Sequence, residues 1–198
     1  MTAIRDVALL LFPQVEVLDF AGPFEVFSVA DPGAEPRPFR VRTVAREAGP
    51  LDARGGLRIT PEVAIGEVQR TDVLVVPGGP GVREALGDAE TVAWVREMAA
   101  SAEITLSVCT GALLLAEAGL LAGRRATTHH ENLEELRSAA PDAEVVGGVR
   151  WVDAGSVVTA GGVSAGIAAS LHVVGRLLDS EAAARTATYI EHPWPAGG

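Results

Sequence analysis

Hydrophobic positions along the chain form two alternating kinds of segment. Short runs rich in β-branched residues or leucine are typical of strands in a mostly parallel sheet that helices cover on both faces. Longer alanine-rich runs place apolar residues at helical spacing. The pattern predicts strands at Val7–Phe12, Phe39–Ala45, Asp72–Val76, Ile104–Val108 and Ser156–Ala160. It predicts helices at Pro23–Val29, Ala89–Ala100, Gly111–Ala118, Glu131–Ser138, Val163–Leu178 and Glu181–Glu191.

Strands that alternate with helices predict an α/β fold, a three-layer sandwich with a mostly parallel central sheet and helices on both faces. Two segments depart from this alternation. Gly49–Thr60 carries Gly55-Gly56 between two short runs, which predicts a hairpin beside the main sheet. Trp151–Ser156 predicts a second hairpin or a meander. Because the 198 residues contain neither a repeat nor a linker, we predict one domain over residues 1–198, ending in a loosely held terminus at 193–198.

Composition limits the possible partners. The formal net charge of −10 would repel a nucleic-acid backbone over most of the surface. The first apolar run, Val7–Phe12, is too short for a signal peptide. Glu117 interrupts the longest apolar stretch, Ala112–Ala122, which stays well below the roughly 18 residues needed for a membrane span. We therefore expect a cytoplasmic protein with neither a nucleic-acid nor a membrane partner.

The single cysteine of the chain lies where a predicted strand passes directly into a predicted helix. With one cysteine, an internal disulfide and a thiolate-based metal cluster are excluded. Small residues at Gly111 and Ala112 let the helix fold back close to its strand, as in the nucleophile elbow of hydrolases. The first helix amides are expected to stabilise a Cys109 thiolate and lower the thiol pKa, and the Thr110 amide is a candidate oxyanion donor.

A buried and inert cysteine is the alternative interpretation of Cys109, because free cysteine is among the most buried residue types. Its position favours function instead. Open α/β sheets bind their ligands at the carboxyl ends of strands, and Cys109 follows the carboxyl end of Ile104–Val108. The sequence therefore favours a reactive cysteine.

Two loops are candidate companions of Cys109. The strand Asp72–Val76 runs into Pro77–Gly81, where glycines let backbone amides approach a ligand, so Gly79 is a candidate second oxyanion donor. A plain tight turn is the alternative. Asp19 precedes a helix predicted to start near Pro23, where it would serve as a cap or turn acceptor. Alternatively, it points toward Cys109 and performs acid–base work, which suits a carboxyl of raised pKa.

Two further groups of residues have more than one interpretation. His129 and His130 lie on a segment that the pattern predicts to be a strand, so at most one of them faces the site. No metal site is predicted, because further ligands are lacking. Phe20, Phe24 and Phe27 belong either to the core or to an interface, and the core is the expectation.

Several motifs together resemble the ThiJ/PfpI superfamily. They are Ser107–Ala112, Gly119–His129, Thr159–Ile167, Leu18–Pro23 and Pro77–Gly79, which together span nearly the whole chain. The resemblance is closest to isocyanide hydratases and to the amidotransferase-like sensor domains of AraC-type regulators. It implies a flavodoxin-like sandwich, usually a homodimer, that acts on a small molecule without a metal or an organic cofactor.

The resemblance also implies roles for individual residues. In hydratases the cysteine attacks the isocyanide carbon, and water completes an N-substituted formamide. Carried onto this chain, Cys109 is the nucleophile, Asp19 its acid–base partner, and Thr110 a neighbour that positions the adduct. The oxyanion or substrate-binding residues are then Gly78, Gly79 and His129.

Departures from the pattern keep other functions open. Proteases and deglycase-like members often have histidine after the cysteine or glutamate in the first loop, where this chain has Thr110 and Asp19, so proteolysis is disfavoured. His130 stands where the hydratase and regulator branches commonly have tryptophan, so a different pocket wall and a different substrate stay open. The regulators continue into a helix-turn-helix region, whereas this chain stops at Gly198, so DNA binding is not expected. A non-catalytic ligand- or redox-sensing domain is the alternative, since exposed low-pKa thiols oxidise readily. Glyoxalase-like activity is a third hypothesis.

Overall fold

The computed structural model describes residues 4–194, so most of the predicted terminal segment at 193–198 lies outside the described residues. The strands are β1 (Arg5–Leu11), β2 (Phe39–Ala45), β3 (Leu51–Asp52), β4 (Arg58–Ile59), β5 (Val63–Ala64), β6 (Val73–Val76), β7 (Ile104–Val108), β8 (Arg125–Ala126), β9 (Glu144–Val145), β10 (Trp151–Asp153) and β11 (Val157–Ala160). The helices are α1 (Val17–Ser28), α2 (Val82–Gly87), α3 (Ala89–Ser101), α4 (Gly111–Glu117), α5 (Leu133–Ala139), α6 (Ala165–Leu177) and α7 (Ser180–Tyr189).

A seven-stranded sheet with the order β10-β11-β7-β6-β1-β2-β5 forms the centre of the fold. Every pairing in it is parallel except that of β10 with β11. The strands β6 and β7 are buried at every position because helices cover both faces. This burial also explains the wholly apolar sequence of β6. The predicted α/β sandwich with a mostly parallel sheet is thus confirmed. Its parallel order brings the carboxyl ends of β1, β6 and β7 to one edge.

Both predicted hairpins are present. Strands β3 and β4 pair antiparallel in a small sheet of their own, and β10 returns along β11 at the edge of the main sheet. A third small sheet, in which β8 and β9 pair in parallel, was not predicted. The first hairpin matters for function because it lies beside the loop that follows β1.

The predicted start of the first helix is wrong. The helix α1 begins at Val17 and not at Pro23, which lies inside it at the seventh position. Proline has no N–H, so the carbonyl of Asp19 loses the intrahelical hydrogen bond that another residue at this position would donate. Because α1 begins at Val17, Asp19 lies in the first turn of the helix, and Glu16 is the N-cap residue.

The three phenylalanines of α1 have different environments. Phe27 is 1% exposed and packs edge-to-face on Phe39, with ring centroids 5.3 Å apart. Phe20 is partly buried against the core. Phe24 is 38% exposed, so the expectation of a core position is wrong for this residue.

Candidate active site

Cys109 lies at a sharp turn between β7 and α4 and has a left-handed backbone conformation, with φ of 56°. A residue with a side chain rarely adopts this region, so its neighbours must hold it there. Its amide donates hydrogen bonds to the carbonyls of Ala160 and Gly161, at 3.1 and 3.0 Å. Its carbonyl accepts a hydrogen bond of 2.7 Å from the Thr128 hydroxyl. The predicted elbow is therefore present and is fixed from both sides.

The Cys109 side chain borders a cavity of about 220 Å³. Cys109 itself is 7% exposed, so a small molecule in this cavity can reach it while bulk water is largely kept away. The other lining residues come from distant segments of the chain: Glu16, Arg54, Gly79, Pro80, Arg83, Thr110, His129, Glu131, Asn132 and Val163. The site is hence built from four or more loops at the carboxyl ends of the parallel strands, as expected for an open α/β sheet.

Asp19 is fully buried beside the elbow. Its Oδ2 accepts a hydrogen bond of 3.1 Å from the Gly78 amide, whereas its Oδ1 has no partner of regular geometry among the described residues. Burial raises the pKa of this carboxyl to about 7, opposed by the Gly78 amide and assisted by the charge of Glu16. The Cys109 thiol and the Val163 amide also lie close enough to lower this pKa. Of the two roles considered for Asp19, capping is wrong and the position near Cys109 agrees with the structure.

The Cys109 thiol does not have the lowered pKa that we expected. Burial and the negative charge of Asp19 raise its pKa to about 12, and the Thr110 amide and hydroxyl offset only part of this effect. The helix that was expected to stabilise a thiolate, α4, has only seven residues, so its dipole is small. Near neutral pH, therefore, the Cys109 thiol keeps its proton, and the Asp19 carboxyl next to it is partly ionised.

The glycine loop after β6 supports Thr110. A side chain at Gly78 would lie 2.5 Å from the Thr110 nitrogen and 2.6 Å from its hydroxyl oxygen, so only glycine fits there. Gly79 has φ of 130° and donates its amide to the Thr110 hydroxyl at 3.0 Å. The role of Gly79 as an oxyanion donor stays a prediction. It requires the Gly79 amide to release the Thr110 hydroxyl and donate to the oxyanion instead. The Thr110 amide lies next to the sulfur and needs no such exchange.

One of the two adjacent histidines faces the site. His129 lines the Cys109 cavity, whereas His130 lines a neighbouring cavity of about 250 Å³. The prediction that at most one would face the site agrees with this arrangement, although the reason given for it is wrong. The strand β8 ends at Ala126, and His130 starts a short 3-10 helix. The His129 ring is instead held against the backbone of Gly162, where a side chain would overlap it.

Sequence reasoning missed the ion pairs at the rim of the cavity. Arg54 donates to the Glu16 carboxylate at 2.5 Å, and Arg83 to Glu135 at 2.7 Å. The Asn132 amide also donates to Glu135, at 2.8 Å. The only available signals were the position of Glu16, three residues before Asp19, and the predicted hairpin that carries Arg54.

Neither a metal site nor a membrane span emerges from the described part of the chain. No group of three or more His, Cys, Asp or Glu side chains within residues 4–194 could hold a metal ion. None of the helices over the same range is long and apolar enough to cross a bilayer.

Comparison with known proteins gives a consistent family. The DJ-1/PfpI family model matches residues 5–176. Isonitrile hydratase of Pseudomonas putida is 36% identical over 191 residues, covering 94% of this chain and 78% of that protein. The HTH-type transcriptional regulator CdhR of Pseudomonas aeruginosa is 29% identical over 160 residues, which are 81% of this chain but 47% of the regulator.

Solved structures agree with this result. The crystal structure of a ThiJ/PfpI family protein from Pseudomonas syringae superposes with a TM-score of 0.88 and 30% identity, covering all of this chain and 78% of that one. The chain belongs to the DJ-1/PfpI family.

Proposed function

We propose that the protein is a cysteine-dependent enzyme of the isocyanide hydratase type, which adds water to a small uncharged electrophile. The observation that carries this proposal is the Asp19 carboxyl, buried beside Cys109 with a pKa raised to about 7. A general base works best when its pKa is near the operating pH, and this carboxyl meets that condition. The similarity to the Pseudomonas putida isonitrile hydratase supports the choice of substrate class.

The first step forms a covalent adduct at sulfur. The Asp19 carboxylate takes the thiol proton while the Cys109 sulfur attacks the terminal carbon of R–N≡C, forming a C–S bond. Asp19 then delivers this proton to the same carbon, which gives the thioimidate R–N=CH–S–Cys109. Because the raised pKa keeps the thiol protonated until the electrophile arrives, deprotonation and attack must be coupled.

The second step adds water and releases sulfur. A water molecule attacks the thioimidate carbon while Asp19 accepts one of its protons, and Asp19 then passes this proton to the nitrogen. The C–S bond then breaks as the carbonyl forms, and the sulfur leaves with the proton that returns it to the thiol. The product is R–NH–CHO, so the atoms of one water have been added to the isocyanide. The amide and hydroxyl of Thr110 stabilise the negative charge that builds up on sulfur as it leaves.

Formation of the formamide from an aliphatic and an aromatic isocyanide tests this proposal. We expect steady turnover by the wild-type protein and its loss in Cys109→Ala and Cys109→Ser. Lactate formation from methylglyoxal, measured with the same three proteins, tests the glyoxalase-like alternative. Wild-type protein that makes formamide no faster than Cys109→Ala would rule the hydratase out.

A ligand-sensing domain is the second candidate, favoured by the similarity to a regulator over 81% of this chain. Redox sensing is less well supported, because a thiol with a raised pKa is a poor target for peroxide. Intact-mass measurement after mild peroxide treatment separates a redox sensor from the hydratase. A stable oxygen adduct at Cys109, without turnover of any isocyanide, would favour the sensor.

The homodimer implied by the resemblance stays a prediction and forms part of this proposal. Two apolar side chains of α1, Leu18 and Phe24, are 37% and 38% exposed, which is consistent with an interface on this helix. Light scattering of the wild-type protein tests the dimer. A monomer mass at every concentration would refute it.

A further inference from the structure

The first hairpin is fixed against the loop that follows β1. The Gln14 amide donates to the Asp52 carbonyl at 2.8 Å, and the Arg54 amide donates to the Val15 carbonyl at 2.9 Å. Ala53, between these two contacts, is fully buried. These two hydrogen bonds fix the backbone on both sides of Ala53 and so hold Arg54 in place. The Arg54 side chain forms part of the wall of the Cys109 cavity.

The Arg54 side chain makes an ion pair with Glu16, the N-cap residue of α1, with 2.5 Å between Nη1 and Oε2. Glu16 lies one helical turn before Asp19. After burial and the Gly78 hydrogen bond, its charge is the next influence on the pKa of Asp19, which it raises. Glu16 raises the pKa of Arg54, and the charges of Cys109 and Asp19 raise it further. Because Coulomb interactions are mutual, the guanidinium must favour the ionised forms of both reacting groups.

The remaining ionisable groups that line the cavity have neighbours of opposite charge. Arg83, on α2, is paired with Glu135 on α5 at 2.7 Å. The Nδ1 atom of His129 lies 3.9 Å from the Glu131 carboxylate. The Glu16–Arg54 pair differs from these because one of its members belongs to the same helical turn as Asp19.

We infer that Arg54 is a positioning residue which, by neutralising Glu16, sets the pH at which Asp19 and Cys109 lose their protons. This inference rests on the proposed roles of Asp19 and Cys109 as the reacting pair. Without Arg54, the Glu16 charge acts unopposed on Asp19, so the carboxyl ionises at higher pH and Cys109 becomes reactive at higher pH. Without Glu16, the positive charge of the Arg54 guanidinium acts unopposed, so Asp19 ionises and Cys109 becomes reactive at lower pH.

Alkylation of Cys109 tests the inference without a substrate. Because the chain has one cysteine, the rate of iodoacetamide addition followed by intact mass reports on this sulfur alone. We expect Arg54→Gln to move the rate–pH profile upward by about 0.5 to 1 pH unit, which makes alkylation about 3- to 10-fold slower near neutral pH. Glu16→Gln should move the profile downward. Arg54→Lys keeps the charge and should restore the wild-type profile.

Arg58→Gln is the matched control, because Arg58 lies on the same hairpin, is largely exposed and pairs with Asp52. It should leave the profile unchanged. A purely structural role for the ion pair would make Arg54→Gln and Glu16→Gln act in the same direction, and that result, or no shift in either variant, overturns the inference. Since alkylation needs no isocyanide, a lack of hydratase activity in every variant rejects the proposed function, and the opposite shifts still decide the role of Arg54.

Discussion

Two aspartates of this protein have opposite environments and opposite pKa shifts. Asp19 is fully buried, receives one amide hydrogen bond and has a pKa raised to about 7. Asp153, at the end of the edge strand β10, is about a third exposed and binds His172 at 2.7 Å and Arg176 at 3.0 Å. Burial raises the pKa of Asp153, but the hydrogen bonds of His172 and the Gly155 amide, with the charge of Arg176, lower it overall.

The ionised form of Asp153 therefore stabilises the folded protein, whereas ionisation of Asp19 destabilises it. Asp153 joins β10 to α6 through a hydrogen bond with His172 and an ion pair with Arg176, which offsets its charge. Among residues 4–194, Asp19 makes no ion pair, and positive charge reaches it only indirectly, through the pair of Glu16 and Arg54. A carboxyl kept in such surroundings is typical of a functional site, because its ionisation costs stability that an unconstrained sequence would not give up.

The largest effect is expected from removing the charge of Asp19. Asp19→Asn keeps an acceptor for the Gly78 amide but cannot take a proton from the thiol. We expect isocyanide hydration to fall by about 100-fold or more, the usual contribution of general acid–base catalysis. Steady-state kinetics measure this loss. Activity within a few-fold of the wild type would show that Asp19 is not the base.

The same substitution should have a smaller and opposite effect on stability. In the folded protein the Asp19 carboxyl keeps its proton up to a pH of about 7, whereas in the unfolded chain it releases the proton near pH 4. The folded state therefore loses stability as pH rises from about 4 to about 7. Asp19→Asn removes this loss, so we expect it to raise the free energy of unfolding by about 1–3 kcal/mol at pH 8 and by much less at pH 4. Urea denaturation at both pH values measures the difference. Equal changes at the two pH values would contradict the assigned burial effect.

The smallest effect is expected at Asp153, where the comparison predicts the reverse sign. Its lowered pKa means that its contribution is present above the unfolded value of 3.8 and is lost as pH falls through the folded value. Asp153→Asn should therefore reduce the free energy of unfolding by about 1 kcal/mol at pH 7. It should leave the rate of isocyanide hydration unchanged. The control is Asp52→Asn, which removes a more exposed carboxylate paired with Arg58. If Asp153→Asn lowered activity as much as Asp19→Asn, the distinction between the two carboxylates would fail.

The sequence predicted the sheet and the elbow because both depend on local patterns. The strands β2 and β7 begin and end at the predicted residues, and the turn at Cys109 follows from a strand that meets a helix without a linker. Pro23 misled the prediction of α1, because proline is favoured in the first turn of a helix and is here tolerated further inside. The short helix α2, directly after the glycine loop, was missed for lack of a periodic pattern.

The electrostatics of the site could not be predicted in the same way. The pKa of Cys109 depends on how deeply the sulfur is buried and on its proximity to Asp19, which lies 90 positions earlier in the chain. Helix amides were the only influence visible in the local sequence, so the predicted direction was wrong. Thr128, which holds the Cys109 carbonyl, and Arg54, which reaches the cavity from the hairpin, are likewise brought in by tertiary packing alone.

The glycine loop limits how this site can be redesigned. Side chains at Gly78 and Gly79 would collide with the backbones of two other segments, at Thr110 and at Glu16, so the inner wall of the cavity admits no variation there. Changes of substrate range must come from the outer wall, where the side chains of Arg83 and Asn132 are accessible. A mutational library aimed at bulkier isocyanides should accordingly sample those two positions and leave the loop untouched.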